Sequence, residues 1–474
     1  MEYTEKFGKY IDVNIGEHIE NLRELVRQPS IGVSGFGTQK TAEIIKDWMI
    51  QVQFDKVDFY NSDGNPIVFG EILAKDSQSA KTLLIYGAYD SNPVEEDHWE
   101  YPPFEGVIIE NEKLGTCMVG RGVNNKMKVA GILNAIKTVK EVMGELPVNL
   151  LVVFDGEEEI FSPNQAQFIQ DNTEWLLRAD ALYMPFSSQN AQGVARVQLG
   201  YKGILYLELK VTGHRWTRGP KDNEIHSMHR PVVDNPAWHL IMALNSMVGE
   251  HGNQVLIDGF QDDIAEPSNE FKEMMKTLAG KFDVQGYKAG LGVDNLYSET
   301  EEPLDVLRNL FTTAQINIDG IWSGYTGAGP EAVIPHDAIA KIEVRLIPNQ
   351  TAKQVQDTIE THLQTHGFSY IEVTNLAAVE FCQTSIKEDI AKALIAAYEA
   401  NKIDHQIWPI SIATIPISLY NQSPLNLPFA TGCVGNGGNT HGSNEYAVVI
   451  GKGAISGLDG YEKLIASVIF EYGK

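Results

Sequence analysis

Two apolar runs, residues 82–86 and 148–154, flank a segment in which Met127, Val129, Ile132, Leu133, Ile136, Val139 and Met143 recur at helical spacing. A continuous apolar run of that length, closed by glycine and polar residues, reads as a strand covered on both faces. Two such strands joined by an amphipathic helix make a βαβ unit, because parallel neighbours need a long crossover. A third run at residues 181–184 extends the pattern. The chain is therefore expected to form an α/β domain around a mostly parallel sheet flanked by helices. Open sheets of this class gather ligands beyond the carboxyl ends of their strands. The first run ends Tyr86-Gly87-Ala88-Tyr89-Asp90 and the second Phe154-Asp155-Gly156-Glu157-Glu158-Glu159, so both deliver carboxylates to that position.

Past Gly203 the texture changes. Residues 204–211 alternate like a half-exposed strand, and residues 338–347 read as another. Asn235-Pro236 opens a helix with a good cap and a proline at its first turn. Trp238, Leu240, Ile241, Leu244 and Val248 are its expected buried stripe. Thr351 and Gln354 form a capping box for a second helix, closed by Gly367. Two strand–helix units of this kind describe a small α+β sandwich. The α/β texture resumes at a further capping box, Ser385 to Glu388, and runs through residues 448–450. A chain of 474 residues exceeds one ordinary core. The expected organisation is a discontinuous domain over residues 1–202 and 383–474, interrupted by an inserted α+β domain over residues 203–382.

Lys and Arg number 37 against 63 acidic residues, a net charge of −26. Such a surface repels phosphate backbones and anionic lipid, which argues against nucleic-acid and membrane partners. Cys117, Cys382 and Cys433 are widely spaced and contain no Cys-x-x-Cys, as suits a reducing compartment. The N-terminal residues lack a signal-peptide run, and no later stretch is long enough to span a bilayer. A cytoplasmic location is expected.

Several separated segments point further. They are Gly87-Ala88-Tyr89-Asp90-Ser91-Asn92-Pro93-Val94, Trp99-Glu100-Tyr101-Pro102-Pro103-Phe104, Gly120-Arg121-Gly122-Val123-Asn124-Asn125-Lys126, Gly156-Glu157-Glu158-Glu159, Ile225-His226-Ser227, Asn317-Ile318-Asp319-Gly320-Ile321, Val333-Ile334-Pro335, Arg345-Leu346-Ile347-Pro348 and His441-Gly442-Ser443-Asn444-Glu445. In this order, and over nearly the whole chain, they resemble the dinuclear-zinc family of aminoacylases, dipeptidases and glutamate carboxypeptidases. The resemblance makes the larger domain the catalytic type and the insertion a lid or dimerisation domain.

In that family one zinc is held by a His, a bridging Asp and a second acid; the other takes the bridging Asp, a Glu and a distal His. The resemblance places Ala88, Asn125 and Phe186 at the first ion's three positions, none of them an ordinary zinc ligand. Glu159 and His441 match the second ion's remaining ligands. Glu158 matches the general base, and His226 the oxyanion-steadying histidine of the inserted domain. Asp90 matches the residue that orients the metal-bound His, and Arg345 the group that meets a substrate carboxylate. Asn317 joins the expected substrate-binding set. Where the family has a Gly-Gly loop, Ile412-Ala413-Thr414-Ile415-Pro416 carries side chains instead. Trp216, between Arg215 and Arg218 in what reads as an insertion, suits a substrate clamp or a dimer contact equally.

Read as residues alone, Asp90 suits a turn cap, and Glu157, Glu158 and Glu159 suit a solvated acidic loop. His226 suits an ordinary helix-start position and Arg345 an ion pair. His98, His214 and His229 are the histidines left as compensating ligands, with nothing in the sequence to place them. The expectation is a divergent metallopeptidase-family hydrolase. It would act on a small amide, ester or peptide-like substrate in the interdomain cleft, without the dinuclear zinc centre and with Glu158 as acid/base. The alternatives are a non-catalytic descendant that binds a ligand or partner, and a mononuclear amidohydrolase using Glu159, His441 and Asn125. The expected cofactor is none, or at most one weakly held zinc or manganese ion. The expected assembly is a homodimer through the inserted domain.

Overall fold

A computed structural model describes residues 2–61, 63–95, 98–250, 252–262, 264–297 and 300–474. The chain divides into two compact units: Met1–Gly200, Gln383–Ile410 and Ile415–Lys474 form the first, and Tyr201–Cys382 with Ser411–Thr414 the second. Among the described residues no helix is long and apolar enough to cross a membrane.

The first unit is built on an eight-stranded sheet. Its strands lie in the order Lys56–Tyr60, Ile67–Ile72, Asn149–Asp155, Thr82–Ala88, Ala181–Ser187, Phe429–Cys433, Ala195–Gln198 and His405–Trp408. Thr82–Ala88 runs parallel to both of its neighbours, and Phe429–Cys433 runs parallel to Ala181–Ser187. Ile67–Ile72 is antiparallel to Asn149–Asp155 and to the edge strand Lys56–Tyr60. The sheet is thus mixed, with four of its seven strand pairings parallel. The short link between Lys56–Tyr60 and Ile67–Ile72 allows only an antiparallel pair, a constraint their weak apolar pattern did not reveal. Every residue of Thr82–Ala88 and Asn149–Asp155 is buried, which is why both read as unbroken apolar runs. The helices Glu2–Arg27, Val123–Met143 and Leu458–Tyr472 pack against one another. Gly122 opens Val123–Met143 in a left-handed conformation (φ 74°) that a side chain would strain.

Register fixes what comes next. Ala88 pairs with Asp155 at the carboxyl ends of adjacent strands, and Tyr89 N–H donates to Asp155 O at 2.9 Å. The residues that follow each strand therefore emerge side by side. A second, antiparallel sheet joins Gly437–Gly438, Tyr446–Gly451, Gly115–Val119 and Val107–Asn111, and the loop bearing His441 links its first two strands.

The second unit carries a four-stranded antiparallel sheet in the order Gln315–Ser323, Asp337–Leu346, Gly203–Thr212 and Glu372–Val379. Its two central strands alternate buried and less buried residues, and Pro236–Met247 and Ala352–Thr365 complete one core with them. Both predicted caps are present: Asn235 Oδ1 accepts from Ala237 N, and Thr351 and Gln354 form a capping box. The stripe on Pro236–Met247 differs from expectation. Leu240, Ala243, Leu244 and Met247 face the core, whereas Trp238 (56% exposed), Ile241 and Met242 face outward. That helix is apolar nearly all round, so periodicity could not choose its inner face.

Several helices are not anticipated by the sequence patterns above, among them Glu2–Arg27, Thr38–Gln51 and Leu458–Tyr472 in the first unit and Asn269–Ala279, Val284–Leu291 and Pro303–Thr312 in the second. Conversely, Ser385 and Glu388 do not form a capping box. Ser385 Oγ accepts from Lys387 N, and the helix starts one turn later, at Asp389.

Candidate functional site

The acidic segment after Asn149–Asp155 is sorted by its hydrogen bonds. Gly156 comes first, and a Cβ there would lie 2.4 Å from Tyr89 Oη and 2.9 Å from Pro66 O, so only glycine fits. Glu157 turns inward. Its carboxylate accepts from Asn65 N at 2.8 Å and from the Asn164 amide at 2.9 Å, which pins the loop. Glu158 and Glu159 then open a short 3-10 turn, Glu158–Ile160. Buried Asp90 caps that turn, Oδ1 accepting from Glu158 N at 3.1 Å and Oδ2 from Glu159 N at 3.0 Å. The turn ends with Phe161 and Ser162 in left-handed conformations (φ 66° and 49°), strain of the kind that collects at functional positions.

The electrostatics follow from burial. Asp90 is pushed well above the usual carboxylate range by desolvation, with the charges of Asp155, Glu158 and Glu159 adding to the effect. Asp155 is pushed up to about 6 by burial, although hydrogen bonds from Ser162, Tyr86 and Glu157 N oppose the shift. Burial raises Glu159 first and Glu158 second, while His441 and Lys128 lower it.

Glu159 is the hub of the side-chain network. Its Oε2 lies 3.0 Å from His441 Nε2 and accepts from Asn92 Nδ2 at 2.8 Å; its Oε1 accepts from Asn125 Nδ2 at 2.9 Å. Asn125 Nδ2 also reaches Asp90 O at 3.1 Å, and its Oδ1 accepts from Lys128 Nζ at 2.8 Å. Lys128 is buried, and its ammonium lies 5.3 Å from the centroid of the Phe186 ring. Ala88 ends its strand without a polar side chain, and Phe186 is partly exposed near the end of Ala181–Ser187.

The His441 loop is anchored by a buried ion pair. Arg121 Nη1 donates to Glu445 Oε2 at 3.1 Å, Arg121 Nη2 reaches His441 O, and Glu445 also accepts from Gly122 N and Asn124. His441 itself is largely exposed and left-handed (φ 67°). The first unit thus brings together Asp90, Asn125, Glu158, Glu159 and His441 of the expected residues.

The other expected residues belong to the second unit. His226 is exposed at the end of a two-residue strand paired with Val333–Ile334, and its Nδ1 accepts from Met228 N at 3.1 Å. Arg345 forms an ion pair with Glu343 at 3.1 Å and donates to Thr414 Oγ1, whose hydroxyl donates to Lys202 O. Thr414, in the loop that replaces the glycines, thus engages the same guanidinium. Asn317 donates to Asp319 on the exposed strand Gln315–Ser323. Trp216 is corrected. It is buried, stacked on Tyr370 and against His239, while Arg215 and Arg218 pair with Glu372 and Asp234. Its apolar ring packs into the unit's own interior and leaves no open clamp.

Lys128, Asn92, Glu157 and the Arg121–Glu445 pair were missed. Lys128 was findable, because it follows Asn125 by three residues on one helix and so shares its face. Asn92 and Glu445 stood in the quoted motifs without a role, since only tertiary contacts give them one.

Residues 199–371 match the family model described as a peptidase dimerisation domain. The Cys-Gly metallodipeptidase of Schizosaccharomyces pombe is 25% identical over 392 residues, covering 79% of this chain and 78% of the relative. The Beta-Ala-His dipeptidase of Rattus norvegicus is 24% identical, covering 76% and 73%. A solved M20 family metallo-carboxypeptidase from Sulfolobus solfataricus superposes with a TM-score of 0.84 at 31% identity, covering 96% of this chain and 98% of that one.

These findings overturn the expectation of no cofactor, or of at most one weakly held zinc or manganese ion. The relatives from Schizosaccharomyces pombe and Sulfolobus solfataricus are metallopeptidases by name. In addition, Asp258, His362 and His366 place one ligand atom each within 4.8 Å of one another, a group able to hold a metal ion. The sequence reading counted ligands only at the family's zinc positions. Asp258 lies far from the two histidines along the chain, so their meeting is a product of the fold.

Proposed function

The chain belongs to the M20 peptidase family, and from that premise we propose that it hydrolyses a small peptide-like amide, with Glu158 as the acid/base. The observation that carries the proposal is the Asp90-capped turn, which sets Glu158 next to Glu159, close enough for its charge to raise Glu159, whose carboxylate meets His441. Dipeptides are the substrate class to try first, because the curated relatives are dipeptidases by name. A positioned acid/base contributes about 10²–10⁴-fold to such a reaction.

The residues at this locus do not fit a two-zinc centre. Catalytic zinc needs about three protein ligands. At the first ion's positions stand a methyl group, a phenyl ring and an amide whose two ends are already committed. Lys128 supplies positive charge there instead, and it lowers Glu159. Glu159 holds His441 in place and is itself held by Asn92 and Asn125. Arg345, tied to Glu343, is less available to a free substrate carboxylate than an unpaired arginine. The buried free thiols Cys117, Cys382 and Cys433 support a cytoplasmic location.

The test is hydrolysis of a dipeptide panel by the parent protein and by Glu158→Gln, each supplied with zinc or manganese. The expected result is turnover by the parent and a fall in kcat of about 10²-fold or more in the variant. Equal rates would remove Glu158 from the chemistry. No turnover by either protein would favour a non-catalytic, ligand-binding role.

A further inference from the structure

The second unit holds a group of residues unrelated to the Glu158 locus. His362 and His366 lie one turn apart at the end of the helix Ala352–Thr365, with His366 as its C-cap, and their rings stack at 4.0 Å. Asp258 Oδ2 lies 3.9 Å from His366 Nε2. Buried Ile257 and Phe260 flank Asp258 and anchor its segment, and Phe260 O accepts from Gln350 Nε2 at 2.9 Å.

The hydrogen bonds around His362 settle its tautomer. Ser246 Oγ donates to Ala243 O at 2.7 Å, so its proton is committed. Towards His362 Nε2, at 3.1 Å, the same oxygen can only accept, and Nε2 must carry the hydrogen. That leaves a lone pair on Nδ1, which is buried and has no hydrogen-bond partner. An orphaned imidazole nitrogen in a histidine that is itself 2% exposed is costly unless something binds it. A metal-ligating histidine characteristically donates its other N–H to a fixed acceptor, the part Ser246 plays here.

We propose that Asp258, His362 and His366 bind a divalent transition-metal ion, zinc by preference, which clamps the Asp258 segment to the end of the helix. Two imidazoles and a carboxylate suit zinc and leave a fourth position for water. Bonds of about 2.0–2.2 Å in a tetrahedron require donor atoms about 3.4 Å apart. The observed spread, up to 4.8 Å, closes by rotation of the exposed Asp258 and His366 side chains. The site also lies at a helix C-terminus, where the unpaired carbonyls favour a cation.

Calorimetric titration of Zn²⁺ into the full-length chain tests the proposal, with His441→Ala as the background to remove any contribution from the first unit. One zinc per chain is expected in that background. Adding His366→Ala, a surface change the fold should accept, is expected to abolish it. Adding Ser246→Ala instead is expected to weaken it about 10–100-fold while the fold persists. Absence of zinc binding in the His441→Ala protein, or binding that survives His366→Ala unchanged, would overturn the assignment.

Discussion

Lys126 carries a primary amine into full burial, where its Nζ donates to Gln28 O at 2.7 Å. Desolvation draws its pKa down to about 7 from an ordinary 10.5, against the opposing pull of Glu445 and Asp90. A depressed folded-state value means that the neutral amine is the form that folds best. The stability tied to that form is fully present above about pH 10.5 and is lost as pH falls towards 7. Lys126→Met removes the titration. The Tm of the variant minus that of the parent is therefore expected to be most positive at pH 6 and to fall as pH rises to 10, read by thermal unfolding in matched buffers. A difference that does not vary with pH contradicts the burial account. At this scale the sequence is least legible. Glu157, Glu158 and Glu159 are three identical letters, and only the hydrogen bonds of Asn65, Asn164 and Asp90 make the first a loop anchor and the others the opening of a capped turn.

Strands were the most legible elements, where burial was complete along the strand or alternated residue by residue. Thr82–Ala88 and Asn149–Asp155 are buried along their whole length and could be read directly, as could the alternating strand Gly203–Thr212. The helix Asn269–Ala279 was missed although Ser268 caps it and Phe271, Met274, Met275 and Leu278 form its buried face. Its signals were present and went unread. The outward apolar faces carry a different message. Gln315–Ser323 is an edge strand exposing Ile318, Ile321 and Trp322, and Pro236–Met247 exposes Trp238, Ile241 and Met242. An uncovered edge with large apolar residues is the kind of surface that pairs with another chain. It supports the expected homodimer through the inserted domain, the unit that carries the match to a peptidase dimerisation domain. In sedimentation velocity the parent is expected to run as a dimer and Trp238→Glu combined with Ile318→Lys as a monomer. A parent that is already monomeric contradicts this assembly.

At the scale of the whole molecule, family membership was legible because many short motifs recur in a fixed order, and the solved M20 structure agrees over nearly the full chain. The candidate metal-binding group was not legible in the same way. Counting ligands at known positions overlooked Asp258, His362 and His366, which meet only after folding. The chemistry proposed for the chain rests on Glu158, and a bound transition-state mimic tests it most directly. In a crystal structure with a phosphinic dipeptide analogue, the Glu158 carboxylate is expected within about 2.6–3.2 Å of a phosphinyl oxygen, the reach required of an acid/base. An analogue seated elsewhere, with Glu158 making no contact to it, would contradict the account.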